Sequence, residues 1–153
     1  MTGRIVVGVD TSSSSKLALR WGAAMAAATN CQIDALMTWE IRTAAGLAYV
    51  PPEVDLHADT EKALEATLDE VFGADRPAGL RTIVRHGGAA QTLVEISEGA
   101  EMLVVGSRGY GGFKGLLLGS VSAAVAEHSK CPVLVIHGEQ SPPEFGSGRY
   151  GSG

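Results

Sequence analysis

Five short apolar runs are spread along this chain, and a stretch with helical spacing lies between each run and the next. The first run, Ile5-Val6-Val7-Gly8-Val9, is β-branched and has no polar residue on alternate positions, as expected of a strand buried on both faces. Gln32 to Trp39 reads as the second strand, with Ile33, Ala35, Leu36 and Met37 apolar. Leu80 to Arg85 is the third, closed by His86-Gly87-Gly88, and Met102-Leu103-Val104-Val105 the fourth. Pro132 to Ile136 is the fifth; a leading proline suits an edge or a strand end. Between them, Leu17, Trp21, Ala24, Met25 and Ala28 recur at helical spacing, as do Leu64, Leu68, Val71 and Phe72. Ala90, Leu93, Val94 and Ile96 mark a short third helix, and Val121, Ala124, Val125 and His128 a fourth. Asp10-Thr11-Ser12-Ser13 offers residues that cap the first helix.

Strands alternating with helices imply right-handed crossovers and a parallel sheet. The expected fold is α/β: one doubly wound, five-stranded parallel sheet with helices on both faces. Ligands of such sheets bind outside the carboxyl ends of the strands, at a switch in strand order. Those ends are Val9-Asp10, Met37 to Trp39, Arg85 to Gly88 and Gly106 to Gly109.

The chain's 153 residues fit one domain. We assign residues 1–137 to it and read residues 138–153, rich in Gly, Ser and Pro, as a flexible tail. Residues 40–54 hold Gly46 and Pro51-Pro52 without a period and read as a loop. Twelve basic residues against seventeen acidic ones, a formal charge of −5, are the reverse of a duplex-binding balance, so no nucleic-acid partner is expected. No apolar run approaches the roughly 20 residues that span a bilayer. The first residues lack the apolar stretch of about 7–15 residues that directs export. Cys31 and Cys131 make neither a disulfide framework nor a four-ligand zinc site. A cytoplasmic protein with no membrane partner is the expectation.

The segment from Gly106 to Ser122 carries the chemistry. It joins a buried strand to a helix and contains Gly106, Gly109, Gly111, Gly112, Gly115 and Gly119. Glycines let backbone N–H groups approach a ligand. Successive amides make an anion-binding nest, and the following helix offers its positive end. Gly119-Ser120 stands at that helix start, and Arg108 and Lys114 add positive charge. The alternative is a glycine-rich surface loop closing an ordinary strand–helix unit. A Walker loop is excluded, because Phe113 precedes Lys114 and no Ser or Thr follows it. A dinucleotide fingerprint is excluded too: the first turn reads Asp10-Thr11-Ser12-Ser13-Ser14.

Gly106-x2-Gly109-x9-Gly119-Ser120 resembles the nucleotide-binding pattern of the universal stress protein family, in its ATP-binding branch. Ile5 to Ser12 is similar to that family's first strand and turn, Leu103 to Gly109 to its fourth strand, and Cys131 to Ile136 to its last. The likeness covers residues 3–137 in order. It implies strand order 3-2-1-4-5, a homodimer through the last strand, and bound ATP, alone or with Mg2+, with little or no turnover. It also implies that Gly106, Gly109, Gly119 and Ser120 hold ribose and phosphates, while Val9, Asp10, Thr11 and Met37 enclose adenine and ribose. Arg108, Val121 and Ser122 complete the implied site. Glu101, where the family usually has aspartate, and Gly88-Ala89, where an acidic residue and proline are common, depart from the pattern.

Several of these residues have a plainer reading. Asp10 can cap a helix as well as meet a ribose; Met37 can be core as well as an adenine contact; Arg108 and Lys114 can be solvated charges. His57, His86, His128 and His137 show no metal-ligand spacing. The expected function is an adenine-nucleotide-binding, dimeric sensor or regulator of the stress response. A slow ATPase or phosphotransferase, or a binder of AMP or cyclic AMP, is the alternative. Phosphoryl transfer needs a group to orient the attacking oxygen, and Asp10 alone qualifies.

Overall fold

The computed structural model describes residues 3–41, 54–108 and 118–144. In chain order its elements are β1 (Gly3–Gly8), α1 (Ser13–Thr29), β2 (Cys31–Trp39), α2 (Leu56–Phe72), β3 (Arg81–His86), α3 (Ala89–Ile96), β4 (Met102–Gly106), α4 (Ser120–His128) and β5 (Val133–Ile136). Every strand pair is parallel, and the order across the sheet is β3-β2-β1-β4-β5. The expected fold class and strand order are the observed ones. Element ends shift by a residue or two, as helix and strand ends do. Residues 42–53 of the expected loop and 145–153 of the expected tail lie outside the described residues. Among the described residues no helix is long and apolar enough to cross a membrane.

Pleating sends successive side chains of β1 to opposite faces. Ile5, Val7 and Val9 join a core with Leu17 and Ala18 of α1 and Leu64 and Leu68 of α2. Val6 joins the other, with Leu36, Leu93 of α3, Leu103 and Val125 of α4. The helix α1 lies tightly on β1: a Cβ on Gly22 would stand 2.5 Å from Val7 Cγ2. Ser12 caps α1 by accepting from Ser15 N–H, and Asn30 ends it in the left-handed region at φ 55°. Asp55 caps α2 by accepting from Ala58 N–H. At the sheet edge β5 follows Pro132, whose carbonyl accepts from Leu103 N–H at 2.9 Å. Past β5 the chain turns at Gly138, φ 70°, and the Gln140 carbonyl accepts the Trp21 indole N–H at 2.8 Å.

An acid sits in the second core. Asp34 of β2 is fully buried. Arg81 of β3 grips it with two bonds, Nε to Oδ1 at 2.9 Å and Nη2 to Oδ2 at 2.8 Å, and Gln32 donates to Oδ1 at 3.0 Å. Arg4 Nη1 lies 3.6 Å from Oδ2, while its Nη2 donates to the carbonyls of Ile96 and Glu98 at the end of α3. Burial alone pushes the Asp34 carboxyl up. The bonds from Arg81 and Gln32 and the charges of Arg81 and Arg4 outweigh it and hold the group below its ordinary value.

Candidate functional site

The strand order reverses between β1 and β4, so the crevice between their carboxyl ends is where this topology places a ligand. Two turns border it, β1–α1 and the start of β4–α4.

The β1–α1 turn is held by a nested set of bonds. Val9 is buried, and its N–H donates to the Leu36 carbonyl at 2.9 Å, extending the sheet. Asp10 is exposed; its Oδ1 accepts from Ser12 N–H at 3.0 Å and from the Ser12 hydroxyl. Asp10 N–H donates to Ser15 Oγ at 3.2 Å, and Ser15 Oγ donates to the Ser12 carbonyl at 3.1 Å. Thr11, between them, has φ 68°. A β-branched residue there is strained, and the bonds on either side hold it in place. Asp10 therefore does shape the helix start, and its second oxygen, Oδ2, makes none of these bonds.

The β4–α4 turn is closed at its base. Ser107 is buried, and its carbonyl accepts from Gly119 N–H at 2.7 Å and from the Ser122 hydroxyl at 3.0 Å. Ser122 Oγ also lies 3.1 Å from the Gly119 carbonyl. One carbonyl thus fastens residue 107 to residues 119 and 122. Gly109, Tyr110 and Lys114 lie outside the described residues. Gly119 is the N-cap of α4 and has no side chain to cap it. Ser120 and Val121 follow on the exposed surface. Among the described residues no side chain caps the first N–H groups of α4, at the end of the helix that favours negative charge. The residues present fit an anionic group there.

Gly106 and Met37 take other positions. A Cβ on Gly106 would meet Ser14 of α1, and Arg108 N–H approaches Ser14 Oγ at 3.5 Å. The structure makes Gly106 necessary for packing α1 against β4, whatever else it does. Met37 is buried in the core that also holds Val9. Val9, Asp10, Thr11, Gly106, Arg108, Gly119 and Ser120 are brought to the two turns, with Val121 exposed and Ser122 buried behind them. The sequence pattern does not mark Ser14, Ser15 and Ser107 as site residues. The serine-rich first turn of α1 was the one signal for the first two; nothing local marks Ser107, which acts through its backbone. Among the described residues no group of three or more His, Cys, Asp or Glu is arranged to hold a metal ion.

A parallel α/β sheet whose strand order reverses between β1 and β4 places the chain in the doubly wound class of folds. Within it, the universal stress protein family model matches residues 1–137, and the chain belongs to that family. A universal stress protein of Mycobacterium tuberculosis is 34% identical over 143 residues, covering 90% of this chain and 48% of its own length. The chain thus spans about half the length of the curated relatives it matches. Among solved structures, a universal stress protein in complex with cAMP superposes with a TM-score of 0.66 at 29% identity, over 88% of this chain and 97% of the other. UspA from Lactobacillus plantarum superposes with a TM-score of 0.65 at 21% identity, over 88% and 97%.

Proposed function

We propose that this chain binds an adenine nucleotide, ATP in the first place, at the β1/β4 crevice and acts as a dimeric, cytoplasmic sensor or regulator in a stress response. The observation that carries the reading is the start of α4: an uncapped helix end, tethered through Gly119 and Ser122 to the Ser107 carbonyl, at the one reversal of strand order. The α4 N–H groups and the Ser120 hydroxyl donate to phosphate oxygens, and Asp10 accepts from a ribose hydroxyl through Oδ2. Mg2+ can accompany the phosphates. The relative solved with cAMP favours a second reading, in which a nucleoside monophosphate is the physiological ligand.

Hydrolysis is expected to be slow, below roughly one turnover per minute, against the 1–10³ s⁻¹ typical of enzymes. Amide and hydroxyl donors that hold the phosphates equally in ground and transition states do not raise the rate. For the dimer, β5 is a sheet edge with Val133, Leu134 and Val135 half-buried, and a second copy can satisfy its free amides.

Calorimetry and thermal melts with ATP, AMP and cyclic AMP, with and without Mg2+, test the reading. A ligand that binds only the native chain must raise its melting temperature by mass action. The nucleotide giving the larger shift identifies the ligand, and Gly109→Val is expected to abolish the shift while leaving the melt itself in place. No heat and no shift with any of the three would overturn nucleotide binding.

A further inference from the structure

Trp39, the last residue of β2, is held on two sides by histidines. His86, its register partner on β3, stacks on the indole with ring centroids 4.3 Å apart and planes 26° apart. His57 of α2 meets its edge: the indole N–H donates to His57 Nδ1 at 3.2 Å, with the rings at 83°. The other ring nitrogen of His57, Nε2, lies 2.8 Å from Glu61 Oε1, one turn further along α2. An indole nitrogen only donates and an ionised carboxylate only accepts. Both partners are satisfied by one form of the imidazole, neutral, with its proton on Nε2 and a bare Nδ1 toward Trp39. A second proton has to go on Nδ1, and there it faces the indole N–H donor against donor. The same proton strengthens the pair with Glu61 on the helix surface.

We propose that Trp39 and His57 form a proton-released latch between the end of β2 and the first turn of α2. It is closed while His57 is neutral. It opens when His57 takes a proton and turns to Glu61 alone. Among the described residues, other titratable or charged groups stand near this corner. Asp55 accepts from Ala58 N–H at 3.0 Å. Glu40 follows Trp39, with Oε2 4.0 Å from a Cβ on Gly88. Arg85 alternates to the opposite face of β3 from His86 and donates to the Val84 carbonyl at 3.1 Å. His86 lies on the ring face, where protonation strengthens the stack and leaves the indole N–H untouched. Among the described residues His57 is the group whose Nδ1 accepts the indole N–H, so its protonation breaks the edge contact.

The indole N–H resonances of the full 15N-labelled chain read the latch directly. There are two, Trp21 and Trp39, and a Trp21→Phe variant assigns them. On acidification from pH 8 to pH 5 the Trp39 resonance is expected to move upfield as its acceptor is lost. The Trp21 resonance, bonded to the Gln140 carbonyl, is expected to stay. His57→Gln keeps an acceptor that does not titrate and is expected to abolish the movement; His86→Gln is expected to keep it. A stationary Trp39 resonance, equal movement in His57→Gln, movement shared with Trp21, or loss in His86→Gln would each overturn the latch.

Discussion

A Cβ placed on Gly106 would stand 2.3 Å from Ser14 Oγ and 2.7 Å from the Ser14 carbonyl carbon. The end of β4 and the first turn of α1 touch without room for a methyl group. Gly106→Ala is expected to destabilise the fold by about 1–3 kcal/mol, the usual range for overpacking. That corresponds to a drop of several degrees in Tm for a domain of this size, within about 3–10 °C. Adding Ser14→Gly removes the side-chain part of the overlap, so a double-mutant cycle should show a favourable coupling between the two changes. Independent effects would mean that the helix start gives way instead.

Thr11 is held at φ 68° by the bonds of Asp10 and Ser15 around it. Thr11→Gly removes the steric penalty, which exceeds the chain entropy that glycine adds. The expected result is a gain of about 1 kcal/mol in urea unfolding, with m unchanged. A loss would show that the Thr11 side chain contributes packing that outweighs its strain.

Asp34 ties three strands together through Arg81, Gln32 and Arg4. Asp34→Asn removes the charge that faces Arg81 and Arg4 and one of the two oxygens that Arg81 grips, and at pH 7 it is expected to cost about 2–3 kcal/mol, discounted for the exposure of Arg81. Because the folded carboxyl is held below its ordinary value, its contribution is complete above about pH 4–5 and fades as pH falls through the folded value. Urea midpoints of wild type and variant should therefore differ by a constant amount from pH 7 to about pH 5 and draw together progressively below about pH 4. A gap that did not narrow at all as the pH falls below about 4 would mean the loss is one of shape and not of charge.

Val135 lies half-buried on β5, the edge strand next to β4. If two copies pair along this edge, Val135→Lys places a charge in the contact and converts dimers into monomers at micromolar concentration. Light scattering of both proteins decides it, and a wild type that already has the mass of one chain would remove the dimer from the proposal.

The order and type of the elements were legible in sequence because they rest on local features. β-Branched runs such as Ile5 to Val9 form strands buried on both faces, and the spacing of Leu64, Leu68 and Val71 leaves one helix face to bury. Ser12 and Asp55 are caps by their chemistry alone, and Pro132 marks an edge because it has no N–H to donate. The strand order came from resemblance to a family, since period and composition do not say which strand lies beside which. Asp34 was illegible for a related reason. In sequence it is a lone acid in an apolar run; only the pairing of β2 with β3 and β1 brings Arg81 and Arg4 to it.

The candidate site divides the same way. The glycines and serines between residues 106 and 122 announced a helix start fit for an anion, because that chemistry belongs to backbone and hydroxyl groups whatever surrounds them. What the tertiary structure decided is the work of each residue. Gly106 makes room for Ser14, Met37 fills core, and the Ser122 hydroxyl closes on the Ser107 carbonyl. Trp39, His57 and His86 come from three successive elements and meet because β2 pairs with β3 and α2 packs over that edge. The sequence by itself determined which local structures form. The sheet order, set by burial of both faces at once, determined which side chains meet and therefore what each one does.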